Sequence, residues 1–128
     1  MSIDSSKRSG TLAYELKTRN FTLTSDVPGH LGGSDLGPTP HEFLEAALAA
    51  CTAITLQMYA QRKSIPLQSA NVQIKIFQEG PAENQMSRAI QLVGDLTDEQ
   101  KISLLAIAEK CPIHHFLQRS TKIESRLV

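Results

Sequence analysis

The sequence predicts an α+β domain in which a mainly antiparallel sheet packs on one long buried helix. Period-two alternation of apolar and polar residues recurs near both ends of the chain and in its middle. The stretch Phe43–Ala60 holds 14 apolar residues in 18, with no charge after Glu45. The chain has 128 residues, enough to bury one core but not two. Residues 1–10 are polar and read as a flexible N-terminus, and residues 11–128 read as a single domain.

Leu12, Tyr14 and Leu16 alternate with Ala13, Glu15 and Lys17, the pattern of a half-buried strand. A tight turn near Thr18-Arg19-Asn20 returns the chain through Phe21 and Leu23 as an N-terminal hairpin. Ser25–Pro38 carries four of the seven glycines and reads as a loop, matching neither the P-loop nor the dinucleotide fingerprint. Thr39-Pro40-His41-Glu42 then marks a helix start: an N-cap, a proline at the first helical position, and a Glu placed to close a capping box. A helix apolar on nearly all faces must be buried on nearly all faces.

Val72, Ile74 and Ile76 alternate with Gln73 and Lys75, and after the turn Gly80–Asn84 the stretch Met86–Val93 completes a pair of long strands. A second capping box, Thr97-Asp98-Glu99-Gln100, opens a helix to about Lys110, with Ile102, Leu105 and Ala106 on one stripe and Leu104, Ile107 and Ala108 widening it. Cys111-Pro112 starts a short helix through His114, His115 and Leu117. Ile123, Ser125 and Leu127 alternate with charged residues as a last strand. One sheet covers one side of the long helix, so the sequence predicts a homodimer with these helices near the shared core.

Thirteen basic residues balance thirteen acidic ones, and the basic residues are scattered. Neither nucleic acid nor a membrane surface is an expected partner. No segment reaches the ~18 uncharged apolar residues of a membrane span, and Met1–Arg8 lacks the apolar core of a signal peptide. The cytoplasm is the expected location.

Two cysteines, sixty positions apart, are too few for a disulfide framework. They are either structural thiols or a redox pair, and their separation in sequence does not decide between the two. Cys111, at a helix start, gains acidity from the helix terminus. Cys51, in mid-helix, needs a buried Arg, Lys or protonated His beside it to become reactive. His41, His114 and His115 invite a metal reading, but Cys111–His114 is a single ligand pair without a second, so no metal is expected. No Gly-x-Ser-x-Gly elbow supports a serine hydrolase.

Two stretches together carry more than composition can. Gly37-Pro38-Thr39-Pro40-His41-Glu42-Phe43-Leu44-Glu45-Ala46-Ala47-Leu48-Ala49-Ala50-Cys51-Thr52 resembles the first cysteine motif of the OsmC/Ohr family of thiol peroxidases. Ala108-Glu109-Lys110-Cys111-Pro112-Ile113-His114 resembles the second, and the element order fits from about residue 11 to the end.

The resemblance implies an OsmC-like fold in an intertwined homodimer, with active sites at the subunit interface, that reduces hydroperoxides without a bound cofactor. It implies Cys51 as the peroxidatic cysteine and Cys111 as the resolving one, joined as a disulfide during turnover and reopened by an external dithiol, often of lipoyl type. By position in the hairpin turn it implies Arg19 as the cation that lowers the Cys51 pKa, with a glutamate as its partner. In Ohr-type members that glutamate lies ten residues before the first cysteine, where this chain has His41. Glu42, nine before, is the candidate here, and the motif in this form is closer to the OsmC-like branch. The alternatives are a non-enzymatic OsmC-like binding or structural protein, and a redox sensor using the same cysteines.

Overall fold

The computed structural model describes all 128 residues, Met1–Val128, in two units, Met1–Leu44 and Glu45–Val128. In the first unit the alternation around Tyr14 becomes strand β2 (Tyr14–Thr18), which pairs antiparallel with β3 (Phe21–Ser25). Thr18 and Phe21 form the last pair, leaving Arg19 and Asn20 as a two-residue turn. Arg19 takes φ 51°, the positive value that tight hairpin turns require at their first central position. Asp4–Lys7 form β1 on the other edge of β2, a strand that the polarity of residues 1–10 does not predict. All four of its residues are exposed, so its backbone ladder holds it in place and no hydrophobic period announces it.

The glycine-rich loop closes around the buried Asp26, whose carboxylate accepts from the backbone N–H groups of Val27 (2.7 Å), Ser34 (3.2 Å) and Leu36 (3.1 Å). Gly33 is required there: a Cβ would stand 1.8 Å from the Val27 carbonyl oxygen.

Helix α1 (Pro40–Arg62) starts at the capping box read from sequence. Glu42 N–H donates to Thr39 Oγ1 and Thr39 N–H donates to Glu42 Oε1, both at 3.2 Å. In the second unit, β4 (Leu67–Gln78) and β5 (Gln85–Gly94) form one antiparallel hairpin. Helix α2 (Asp98–Ala108) opens with the Thr97/Gln100 box, and α3 (Pro112–Gln118) has Cys111 as N-cap and Pro112 in its first turn. Leu56 and Ala60 of α1, Leu67 of β4, and Leu104 and Ala108 of α2 form the core, with Ile90 and Leu92 of β5 packed against it. Two side-chain bonds tie α1 to β4: Gln57 Nε2 donates to the Leu67 carbonyl (2.9 Å), and Ile76 N–H, at a break in the strand register, donates to Glu45 Oε1 (2.9 Å).

Two expectations are corrected, that of a single sheet and that of a last strand. The antiparallel pairing forms two sheets, one of three strands and one of two, in place of one. Within the single chain α1 buries one stripe, Leu48, Thr52, Leu56 and Ala60, while Ile54 and Met58 are 59% and 58% exposed. A helix apolar all round can be covered only as far as neighbours exist, and α2 and one hairpin supply a single side. The last strand is absent: Ile123 and Leu127 are exposed and lie in no ladder. Alternation proposes a strand, but only a free sheet edge with matching register can pair it.

At 23 residues α1 also has the length and composition of a bilayer-crossing segment. Its Leu56 and Ala60 sit in the folded core, as in the core helix of a globular unit.

Candidate active site

Cys51 projects from the middle of α1, in an i, i+4 relation to Thr55 that stacks the two on one face of the helix. Cys111, fully buried, projects from the junction of α2 and α3, where Pro112 lacks an N–H and sets the backbone for a new helix. The fold brings the two cysteine side chains within hydrogen-bonding reach of each other. Sixty positions of sequence are closed by α1 and α2 sharing one core, a fact of packing that the spacing does not contain.

Burial pushes the Cys51 thiol above its ordinary pKa, and the neighbouring Cys111 thiol pushes it further. The Ile113 N–H, in the first turn of α3, and the Thr55 hydroxyl lie near Cys51 and oppose that rise. Sequence reasoning assigned the helix-terminus benefit to Cys111 and none to Cys51. In the structure the first-turn amide of the helix that Cys111 begins is delivered to Cys51, because packing and not chain order decides which sulfur an amide faces.

Beside the cysteines runs a polar chain that sequence reasoning missed. Arg88, on β5, has a side chain only 13% exposed. Its Nη1 donates to Thr52 Oγ1 (3.2 Å), one residue beyond Cys51, and its Nη2 lies 3.6 Å from Glu109 Oε1, two residues before Cys111. The other carboxylate oxygen of Glu109 is 3.0 Å from His114 Nε2. Thr52 in turn donates to the Leu48 carbonyl (2.7 Å), so every member of the chain has a partner. The sequence held a signal: Met86, Arg88, Ile90 and Leu92 share the inward phase of β5, and Arg88 is the one charge in that phase. A guanidinium is placed on an apolar face only where partners meet it.

Arg19 and Glu42, the other residues assigned by resemblance, belong to the first unit. Arg19 is exposed at the β2–β3 turn, with its guanidinium 5.1 Å from the centre of the Phe21 ring. Glu42 has its carboxylate in the α1 cap.

Fold and site together define a two-cysteine α+β protein with two free thiols, one on a long helix and one at the start of a short one. The chain matches the family model for OsmC, described as OsmC-like protein, over residues 32–126, and it belongs to that family. Among solved structures it is similar to an OsmC-like protein from Mycoplasma pneumoniae, at 18% identity and a TM-score of 0.77 over 91% of this chain and 86% of that one. It is similar to an organic hydroperoxide resistance protein OsmC from Legionella pneumophila, at 19% identity and a TM-score of 0.68 over 92% and 90%. An OsmC-like protein of unknown function from Vibrio cholerae is similar at 13% identity and a TM-score of 0.72 over 91% and 92%. At these identities the likeness is one of fold. No curated protein matches the chain.

Proposed function

We propose that the protein is a thiol-dependent peroxidase that reduces hydroperoxides, organic ones above all, through a Cys51 sulfenate and a Cys51–Cys111 disulfide. The observation that supports this reading is the closeness of the Cys51 and Cys111 side chains, with the Ile113 N–H nearby. The Cys51 thiolate attacks one peroxide oxygen and the O–O bond breaks. The departing alkoxide leaves as the alcohol after taking a proton, and Cys51 becomes a sulfenic acid. The Cys111 thiolate then attacks the Cys51 sulfur, a disulfide forms and water leaves. An external dithiol reopens the disulfide by exchange and is itself oxidised to a disulfide.

A thiol raised by burial reacts slowly until a cation opposes the rise. By the family resemblance Arg19 is the candidate for that cation, while Glu42 acts through the α1 cap. The expected result for Arg19→Ala is an upward move of the pH at which Cys51 becomes alkylated by iodoacetamide, read by mass at a series of pH values. A homodimer is part of the proposal, supported by the open apolar side of α1 at Ile54 and Met58.

The test is intact mass and free-thiol count on reduced protein before and after one equivalent of cumene hydroperoxide, with hydrogen peroxide run in parallel. Rapid loss of both thiols into a Cys51–Cys111 disulfide supports the peroxidase. The elevated Cys51 thiol favours a second reading, a binding or structural protein with two core thiols, and two unreacted thiols select it. Disulfide formation without repeated turnover in the presence of dithiol selects a redox sensor.

A further inference from the structure

Arg88 joins the two segments that carry the cysteines. Its guanidinium bonds Thr52 on α1 at one nitrogen and faces Glu109 at another, and Glu109 is the last residue before the two-residue step to Cys111. His114, three residues after Cys111, faces the second oxygen of the same carboxylate. The polar chain Thr52–Arg88–Glu109–His114 therefore begins beside Cys51 and straddles Cys111. The α2–α3 junction itself is a short turn, held by Lys110 N–H to the Ile107 carbonyl (2.9 Å) and a longer bond from Cys111 N–H to Ala108 (3.4 Å).

We propose that Arg88 is a positioning residue that clamps the Cys111 segment against α1 and so raises the effective concentration of the Cys111 thiol at Cys51. The proposal rests on the reading of Cys51 and Cys111 as a redox pair. Two thiols held in apposition react as one molecule, and the gain is lost when one of the two is free to move away. Glu109 is 62% exposed, so its pairing with Arg88 is screened and contributes little by itself. The bond from the mostly buried guanidinium to Thr52 is the stronger anchor, because a charged donor is bonded there away from water.

The clamp bears on two balanced steps. In exchange, protein dithiol and oxidised dithiothreitol give protein disulfide and reduced dithiothreitol. In turnover, the Cys51 sulfenic acid either condenses with Cys111, releasing water, or meets a second hydroperoxide and becomes a sulfinic acid, releasing an alcohol. Loosening the Cys111 segment disfavours the disulfide in the first step and favours sulfinic acid in the second.

The experiment equilibrates wild type, Arg88→Ala, Arg88→Lys and Glu109→Ala with dithiothreitol buffers, traps thiols by alkylation and reads the disulfide-to-dithiol ratio by intact mass. Arg88→Ala is expected to lower the ratio about threefold, because the screened Glu109 pairing is what links Arg88 to the Cys111 segment. Arg88→Lys, which keeps a donor for Thr52 but not the fork, recovers part of the loss, and Glu109→Ala gives a comparable loss in the same direction. With excess cumene hydroperoxide, Arg88→Ala accumulates more Cys51 sulfinic acid than wild type. An unchanged ratio in folded Arg88→Ala overturns the proposal. If that variant does not fold, unchanged ratios in both Arg88→Lys and Glu109→Ala overturn it. Because the exchange needs no peroxide, a shifted ratio in a protein inert to hydroperoxide retires the peroxidase and leaves the clamp standing.

Discussion

Cys51 carries opposing demands at the scale of one residue. Burial and the Cys111 thiol favour its protonated form, while the Ile113 amide and Thr55 hydroxyl favour the thiolate. Under the proposed peroxidase reading the two sulfurs have roles separable by substitution, and Cys51→Ser is expected to abolish hydroperoxide turnover. Cys111→Ser is expected to leave a sulfenate that gains further oxygen, seen as added mass on Cys51 after excess oxidant. Asp26 gives a second residue-scale outcome, in the opposite electrostatic direction. Its bonds from Val27, Ser34 and Leu36 hold its carboxyl below the ordinary range. The folded chain therefore binds that proton less tightly than the unfolded chain. The resulting stability is present above the ordinary aspartate pKa and is lost as pH falls through the lowered one. Asp26→Asn is expected to be less stable than wild type at neutral pH, with the difference shrinking in acid, read from denaturation midpoints at a series of pH values.

At the scale of the element, the α1 cap separates structural from chemical roles. Thr39 and Glu42 satisfy each other's backbone donors at the start of the helix that carries Cys51. Thr39→Ala is expected to cost about 1 kcal/mol and to lower the melting temperature by a few degrees. Both helix starts with capping boxes were legible because a cap is a local event, complete within four residues. The β4–β5 hairpin was legible for a similar reason, since its alternation and its turn lie within one stretch of chain. The strand expected at Ile123–Leu127 failed because a strand is only half of a structure, and its other half is a partner edge. β1 was missed for the converse reason: an exposed edge strand needs a partner and no apolar pattern.

At the scale of the whole molecule, the open side of α1 is the main unmet demand of the chain. Ile54 and Met58 remain exposed on a helix that is apolar nearly all round, and burying each large apolar side chain is worth roughly 2 kcal/mol. Light scattering at micromolar concentration is expected to give the mass of a dimer. The double substitution Ile54→Glu/Met58→Glu is expected to shift that mass toward the monomer, because charges cannot be buried unpaired in an apolar interface. A wild-type monomer at that concentration contradicts the dimer.

Neighbouring residues alone specify two capped helices, the hairpins and their phases, the proline-set start at Cys111, and the two cysteine stretches that lie within the part of the chain matching the OsmC family. These are legible because neighbours in the chain produce them. Tertiary structure alone decided that Cys51 meets Cys111, that the α3 amide faces Cys51, and that Arg88 ties Thr52 to Glu109. It also decided which stripe of α1 is covered. Each of these joins residues brought together by packing across dozens of positions, and distance along a chain carries no measure of distance in space.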